Sequence, residues 1–217
     1  MTFDPFGLAG RFVPEETLHR IVRIFMVLLL GAFLLHRLSQ YRLFAVKALW
    51  LGETLLFTVL IVAYLFRTVP ASRSRGVREI VVPLVGSALP FFLLLSPPNP
   101  AIIASRPLFY GLLWGMTGAT ALTVWGMWSL RSSFSITVEA RQLVTSGPYR
   151  LVRHPIYTGE ILAAAAVAAI RFSPANTALL LLFIALQLWR TRMEEAKLSA
   201  VFPAYREFAG RSRWFWG

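Results

Sequence analysis

Four apolar runs of membrane-spanning length limit what this chain can fold into. They lie near 21–38, 47–66, 79–96 and 107–130, and about 20 apolar residues in a helix cross the roughly 30 Å hydrocarbon core of a bilayer. The chain is 57% hydrophobic and only 15% charged, whereas about a quarter of the residues of a soluble domain are charged. These features predict an all-α integral membrane protein.

Two shorter apolar runs follow and predict a helical hairpin near the C-terminus. As a helix, the run 156–170 would reach only about 22 Å, which is too short to span a bilayer alone. Ser173 and Pro174 form a suitable N-cap and first-turn pair for a helix that continues past Trp189. The sequence thus predicts a bundle of about five or six transmembrane helices in a single domain, 1–217, in which residues 1–75 form accessory helices.

The distribution of Lys and Arg predicts which helix ends face the cytoplasm. Most of these residues fall in the N-terminus, the 67–78 loop, the 131–153 loop and the tail, and the cytoplasmic loops of membrane proteins carry an excess of positive charge. The same rule leaves the orientation of the first two helices open. The predominance of Arg over Lys and the short loops favour a bacterial inner membrane.

Composition argues against metal and nucleic-acid chemistry. The chain has no cysteine, and His19, His36 and His154 are far apart, so neither thiolate ligands nor a metal-ligand spacing is present. The net charge of +12 is accounted for by basic loops held against an anionic membrane surface. We therefore expect membrane lipids as partners, and neither a metal nor a nucleic acid.

A polar motif stands at the start of the hairpin. It is SGPYRLVRHPIYTG, Ser146–Gly159, and Pro155 suits an early position of the helix that follows. His154 and Tyr157 would then lie at the helix start, where unpaired N–H groups and the positive end of the helix dipole favour an anion or a carboxylate. The alternative is that these residues only anchor the helix at the membrane interface.

A second charged cluster, RTRMEEAKL, follows the last apolar run at Arg190–Leu198. Arg190 and Glu194 are spaced i, i+4, and Arg192 and Glu195 are spaced i, i+3, so each pair shares a helix face. Such surface pairs contribute only about 0.3–0.5 kcal/mol to helix stability. Helix stability is therefore a weak explanation for charged pairs where a helix leaves the membrane. The pattern favours a binding role on the predicted cytoplasmic side.

These two segments together resemble a known superfamily. GPYRLVRHPIYTG followed by RxRxEExxLxxxFxxxYxxF is similar to the isoprenylcysteine carboxyl methyltransferases and phospholipid N-methyltransferases, over roughly residues 105–213. The resemblance implies a methyltransferase-like core in this region, with S-adenosylmethionine bound on the cytoplasmic side between the RHPxYxG helix start and the Glu pair. The chain departs from the family pattern at Pro203 and Phe208, at the substrate end.

The family motifs match specific residues of this chain. The resemblance implies that the cofactor is bound by Tyr149, His154, Tyr157, Gly159, Glu195 and Tyr205, and that Arg190, Glu194 and Arg153 are catalytic. The acceptor is expected to be lipophilic and to enter from the bilayer. A carboxylate acceptor needs only orientation by an arginine, whereas an amine must also lose a proton to a base such as Glu194, Glu195 or His154. The sequence leaves both acceptors open.

Two other functions remain possible. Membrane sterol and steroid reductases, which use NADPH, resemble the first motif when Glu160 is included, although they have Asn where this chain has Ile156. A non-catalytic transport or scaffold protein would use Glu53 and Glu160 as polar contacts inside the bundle. Gly111 and Gly115 form a GxxxG, which predicts close helix packing.

Overall fold

The protein is an assembly of α-helices. A computed structural model describes residues 15–66, 71–72, 74 and 78–212, so the N-terminal segment, most of the 67–78 loop and the end of the tail lie outside the described residues. In the described part the chain contains no strand, only an isolated bridge between Ser72 and Ala140. The prediction of an all-α protein is confirmed. The helices are α1 (Glu15–Ser39), α2 (Lys47–Leu65), α3 (Arg78–Phe92), α4 (Pro100–Ala104), α5 (Arg106–Leu130), α6 (Pro155–Ile170), α7 (Pro174–Val201) and α8 (Ala204–Arg211).

The four long apolar runs form α1, α2, α3 and α5. Helix α2 has 19 residues with a mean hydropathy of 1.9, and α3 with its short 3-10 extension to Leu95 has 18 residues with a mean hydropathy of 1.7. By length and composition both are able to cross a membrane. Large apolar side chains such as Phe25, Leu28, Phe91 and Leu181 point outward and are more than 60% exposed, as expected for surfaces that face lipid.

The predicted C-terminal hairpin is formed by α6 and α7. Helix α6 is apolar but shorter than a full span, and α7 begins at Ser173, whose hydroxyl accepts a hydrogen bond from the backbone N–H of Asn176. The side chain of Asn176 is buried and donates to the carbonyl oxygens of Arg171, at 2.8 Å, and Leu93, at 3.1 Å. The hairpin turn is therefore attached to the end of α3.

Helix α5 packs more extensively against α6 than against any other helix. Gly159 allows this close approach, because a Cβ at this position would lie 2.5 Å from the carbonyl oxygen of Ala119 and in direct overlap with the hydroxyl of Thr123. The close packing predicted at Gly111 and Gly115 is not seen, since within the described residues nothing lies within 4 Å of a Cβ built at either position. Close packing of α5 thus uses a glycine on α6 rather than its own GxxxG.

Glu53, a carboxylate in the second predicted span whose role the sequence did not determine, has a partner on α1. Its Oε2 atom lies 2.9 Å from a terminal nitrogen of Arg37. The indole of Trp50, one turn earlier on α2, donates to the carbonyl oxygen of Arg37 at 2.9 Å. Glu53 therefore joins α1 to α2, outside the hairpin.

Candidate functional site

The segment before α6 has a restrained backbone. Gly147 adopts φ +61°, a value that favours glycine, and opens a 3-10 turn that continues to Arg150. His154 is the N-cap residue of α6, and its carbonyl oxygen accepts from the backbone N–H of Thr158 at 3.0 Å and from its hydroxyl at 2.9 Å. The turn and the cap together fix where the His154 ring points.

The start of α6 meets the charged end of α7. One carboxylate oxygen of Glu195 lies 3.0 Å from Nε2 of His154 and 3.0 Å from a terminal nitrogen of Arg153. One turn further into α6, the hydroxyl of Tyr157 donates a hydrogen bond to Glu194. The two motifs, which are separated by a helical hairpin in the sequence, are thus in direct contact.

Opposing effects act on the ionisation of Glu195, which lies in the charged part of α7 beyond its apolar stretch. Burial opposes ionisation, but the hydrogen bond with His154 and the attraction of His154 and Arg153 outweigh it, so the pKa of Glu195 is lowered from its ordinary value of 4.5. The pKa of the nearby Tyr205 hydroxyl is raised, first by burial and then by the charge of Glu195. Glu195 is therefore an anion and Tyr205 a neutral phenol at pH 7.

This shift predicts how stability depends on pH. A carboxyl group with a lowered folded-state pKa stabilises the fold above its ordinary pKa, and the contribution is lost as the pH falls through the folded-state value. We expect the difference in melting temperature between the wild type and Glu195→Gln, measured in detergent, to be largest near pH 7 and to shrink as the pH falls below 4.5. A difference that stays constant down to pH 3 would contradict this assignment.

Arg190 lies behind this contact and is 4% exposed. Its Nε atom donates to Glu194 at 3.3 Å, a terminal nitrogen donates to the carbonyl oxygen of Ile136 at 2.7 Å, and its guanidinium lies 4.8 Å from the centre of the Tyr157 ring. Arg190 therefore positions both Glu194 and Tyr157.

A cavity opens beside the contact between α6 and α7. About 780 Å³ of space free of protein atoms lies in it, and this figure includes space that is open to solvent. Among the residues predicted to be functional, those that line it are Tyr149, Arg153, His154, Tyr157, Glu194 and Tyr205. Glu195, Arg190 and Gly159 are not part of the lining: the first two hold lining residues from behind, and Gly159 packs against α5. Gly159 thus occupies a packing position rather than the cofactor-facing position that the resemblance implies.

The lining includes Arg153, whose Nε atom is buried and makes no hydrogen bond within the described residues. Buried polar atoms of native proteins are nearly always satisfied by protein, water or a ligand. This donor on Arg153 thus suits a hydrogen-bond acceptor of a polar ligand in the cavity.

Another part of the lining comes from the loop between α5 and α6, which the sequence motifs did not identify. Ser135, Thr137, Glu139 and Arg141 all line the cavity, whereas Val138 and Ala140 between them are completely buried. We refer to residues 135–141 as the loop wall. An alternation of polar and apolar residues, SITVEAR, is the signal that could have revealed it.

Main-chain contacts hold the loop wall in place. The carbonyl oxygen of Val138 accepts from Lys197 of α7 at 2.9 Å and from the hydroxyl of Ser74 at 3.0 Å. The N–H of Val138 donates to the carbonyl oxygen of Glu79, at the start of α3, at 3.1 Å, and the Glu79 side chain pairs with Lys197. The loop wall is thus attached to both α3 and α7.

Glu160, the residue shared with the reductase pattern, belongs to a different environment. It accepts a hydrogen bond from Gln187, which is completely buried on α7. Neither residue is part of the cavity lining. Glu160 therefore connects α6 to α7 nearly two turns further along α6 than His154.

Two curated proteins are similar to part of this chain. Over 102 residues it is 36% identical to the cobalt-zinc-cadmium resistance protein CzcN of Cupriavidus metallidurans, and the match covers 45% of each chain. Over 99 residues it is 32% identical to the nickel-cobalt-cadmium resistance protein NccN of Alcaligenes xylosoxydans xylosoxydans, covering 45% of this chain and 46% of the relative. The chain thus spans less than half the length of either relative.

A protein-family match covers the region that forms the site. Residues 112–200 include most of α5, the loop wall, all of α6 and nearly all of α7. The two apolar helices that are long enough to cross a membrane, α2 and α3, precede the matched region. Over these residues the chain matches the isoprenylcysteine carboxyl methyltransferase family, and the resemblance predicted from the paired motifs is confirmed.

Proposed function

We propose that this protein is an S-adenosylmethionine-dependent methyltransferase that acts on a lipophilic acceptor at the cytoplasmic side of a bacterial inner membrane. The observation that carries the proposal is the cavity at the contact between His154, Arg153 and Glu195, which lies within the region that matches the family. The buried Nε atom of Arg153, which has no hydrogen-bond partner within the described residues, supports a polar ligand there.

We assign two roles to the residues of the cavity, which are holding the cofactor and acting on the acceptor. Tyr149, His154 and Tyr205 are proposed to hold the cofactor, with Glu195 fixing His154 and Arg153 from behind. When bound, the cofactor supplies a methyl group on a sulfonium, and transfer to an oxygen or nitrogen of the acceptor breaks the S–C bond and leaves its electron pair on sulfur. The protein then has to orient the partners and exclude water, and it needs no nucleophile of its own.

Glu194 is the carboxylate best placed to act on the acceptor. It lines the cavity and is held by Tyr157 and Arg190. An amine acceptor would lose its proton to Glu194, whereas a carboxylate acceptor would be oriented by the guanidinium of Arg153. A prenylcysteine-type carboxylate and a phospholipid amine are both compatible with this arrangement, and the exposed apolar helix faces suit lateral entry from the bilayer.

The metal-resistance names of the relatives do not lead to a metal-site proposal. Among the described residues, no three His, Cys, Asp or Glu side chains are grouped so that they could hold a metal ion. The proposal therefore rests on the cavity and the family match.

A binding experiment tests the proposal directly. We expect the detergent-solubilised protein to bind S-adenosylmethionine and its demethylated product, S-adenosylhomocysteine, saturably in isothermal titration calorimetry, and not to bind NADPH. If NADPH binds, and neither S-adenosylmethionine nor S-adenosylhomocysteine binds, the protein is a reductase. If none of the three ligands binds, the non-catalytic alternative is supported. Radiolabelled methyl transfer into prenylcysteine analogues and phosphatidylethanolamine then identifies the acceptor.

A further inference from the structure

The loop wall carries a buried ion pair that faces the cavity. A terminal nitrogen of Arg141 lies 2.5 Å from Oε2 of Glu139, and the same oxygen accepts from the hydroxyl of Ser135 at 3.1 Å. The Arg141 side chain is 3% exposed and the Glu139 side chain is 6% exposed. Both residues line the cavity, so a carboxylate and a guanidinium stand side by side on one surface of it.

Fold stability is a weak explanation for this pair. Removing two charges from water carries a desolvation cost that often cancels their attraction, and apolar residues of similar volume frequently stabilise a protein as well or better. The loop wall is already attached through backbone bonds of Val138 and Ala140. A buried pair at positions 139 and 141 therefore suggests a ligand that requires both signs of charge.

The other charged groups of the lining are paired across the helices. Arg153 and His154 contact Glu195, and Glu194 contacts Tyr157. In the loop wall, Glu139 and Arg141 contact each other, and both belong to the cavity lining. Hydroxyls of Ser135 and Thr137, which are 3.2 Å apart, extend the same polar surface.

We propose that Glu139 and Arg141 bind the amino-acid end of S-adenosylmethionine. This end carries an ammonium and a carboxylate on one carbon atom, and the pair presents a carboxylate for the first and a guanidinium for the second. The inference rests on the proposed function and assigns the orientation of the cofactor: its amino-acid end lies at the loop wall and its nucleoside lies toward α6 and α8. Glu139 and Arg141 are binding residues, with no part in the methyl transfer itself.

Three ligands distinguish this role from a structural one. S-adenosylhomocysteine has both charged groups, decarboxylated S-adenosylmethionine has only the ammonium, and 5′-methylthioadenosine has neither. Glu139→Gln and Arg141→Met should each weaken S-adenosylhomocysteine binding by about 10- to 100-fold, because each removes a charge-assisted hydrogen bond to the ligand. For decarboxylated S-adenosylmethionine we expect the same loss with Glu139→Gln and little change with Arg141→Met. Neither variant should alter 5′-methylthioadenosine binding by more than about two-fold.

Calorimetry of the protein in detergent measures these affinities. Glu207 and Arg211 offer a matched control, because they form an exposed ion pair at 2.6 Å outside the cavity lining. Glu207→Gln and Arg211→Met should leave the binding of all three ligands unchanged. Glu139→Gln conserves shape, so it carries the test if Arg141→Met does not fold.

The outcomes separate the two proposals. If the wild type binds S-adenosylhomocysteine but the Glu139 and Arg141 variants bind it unchanged, or lose all three ligands equally, the assignment of the loop wall is overturned while the proposed function stands. If the wild type binds none of the ligands, the proposed function fails and this inference fails with it.

Discussion

Glu195→Ala is expected to weaken S-adenosylhomocysteine binding by about 100-fold or more. The reason is that one carboxylate oxygen of Glu195 holds both Arg153 and His154 at 3.0 Å. Truncation leaves two cavity-lining groups without this partner, the buried ring of His154 and the partly exposed guanidinium of Arg153. His154→Ala should have a loss of similar size, because it removes a cavity-lining ring that Glu195 positions.

Calorimetry with S-adenosylhomocysteine, together with melting temperatures in detergent, measures this effect. Glu195→Gln should lose less affinity than Glu195→Ala, since the amide oxygen still accepts one hydrogen bond. Glu207→Ala removes an exposed carboxylate and should bind like the wild type. Because Glu195 and His154 act together, the double variant should lose less than the sum of the two single losses. Unchanged affinity in both single variants would remove the cofactor site from this position.

Gly159→Ala is expected to destabilise the protein by about 3 kcal/mol or to prevent folding. A methyl group there would lie 2.5 Å from the carbonyl oxygen of Ala119 and would overlap the hydroxyl of Thr123. The carbonyl is part of the α5 backbone, so relief requires that the two helices move apart. This separation would also displace His154 and Tyr157, which lie on the same short helix and line the cavity.

Thermal unfolding in detergent and the yield of monodisperse protein report this effect. Gly118→Ala is the matched control, because nothing lies within 4 Å of a Cβ built at that position on α5. Since alanine restricts the unfolded chain more than glycine does, this control should be neutral or slightly stabilising. If Gly159→Ala kept the wild-type melting temperature but lost cofactor affinity, the role implied by the family resemblance would be restored and the packing role rejected.

The helices and their order were predictable because hydropathy is a local property. Runs of apolar residues predicted α2 and α3, and the Ser173–Pro174 pair predicted the start of α7. The contact between His154 and Glu195 was also predictable, since a hairpin brings the two ends of its helices to the same side of the membrane. In each case the sequence pattern that predicted the feature lay within one segment, or the feature followed from a single turn between two helices.

The neighbours of each helix face could not be predicted in this way. Gly159 faces α5 and Arg190 reaches the carbonyl oxygen of Ile136, and both contacts depend on how distant segments pack. The loop wall was missed for a different reason. Its alternation of polar and apolar residues is short and lies in a region without regular secondary structure, where a period of two is rarely read as a strand or as one side of a cavity.

The attachment of the loop wall also has a mechanical consequence. Val138 is bonded through its N–H to α3 and through its carbonyl oxygen to Lys197 of α7. A change in the angle between these two helices therefore moves Val138, and Glu139 and Arg141 move with it. The hydrogen bonds of Val138 thus transmit a shift of α3 or α7 to the cavity, although α3 supplies none of the lining residues and α7 supplies only Glu194 and Leu198.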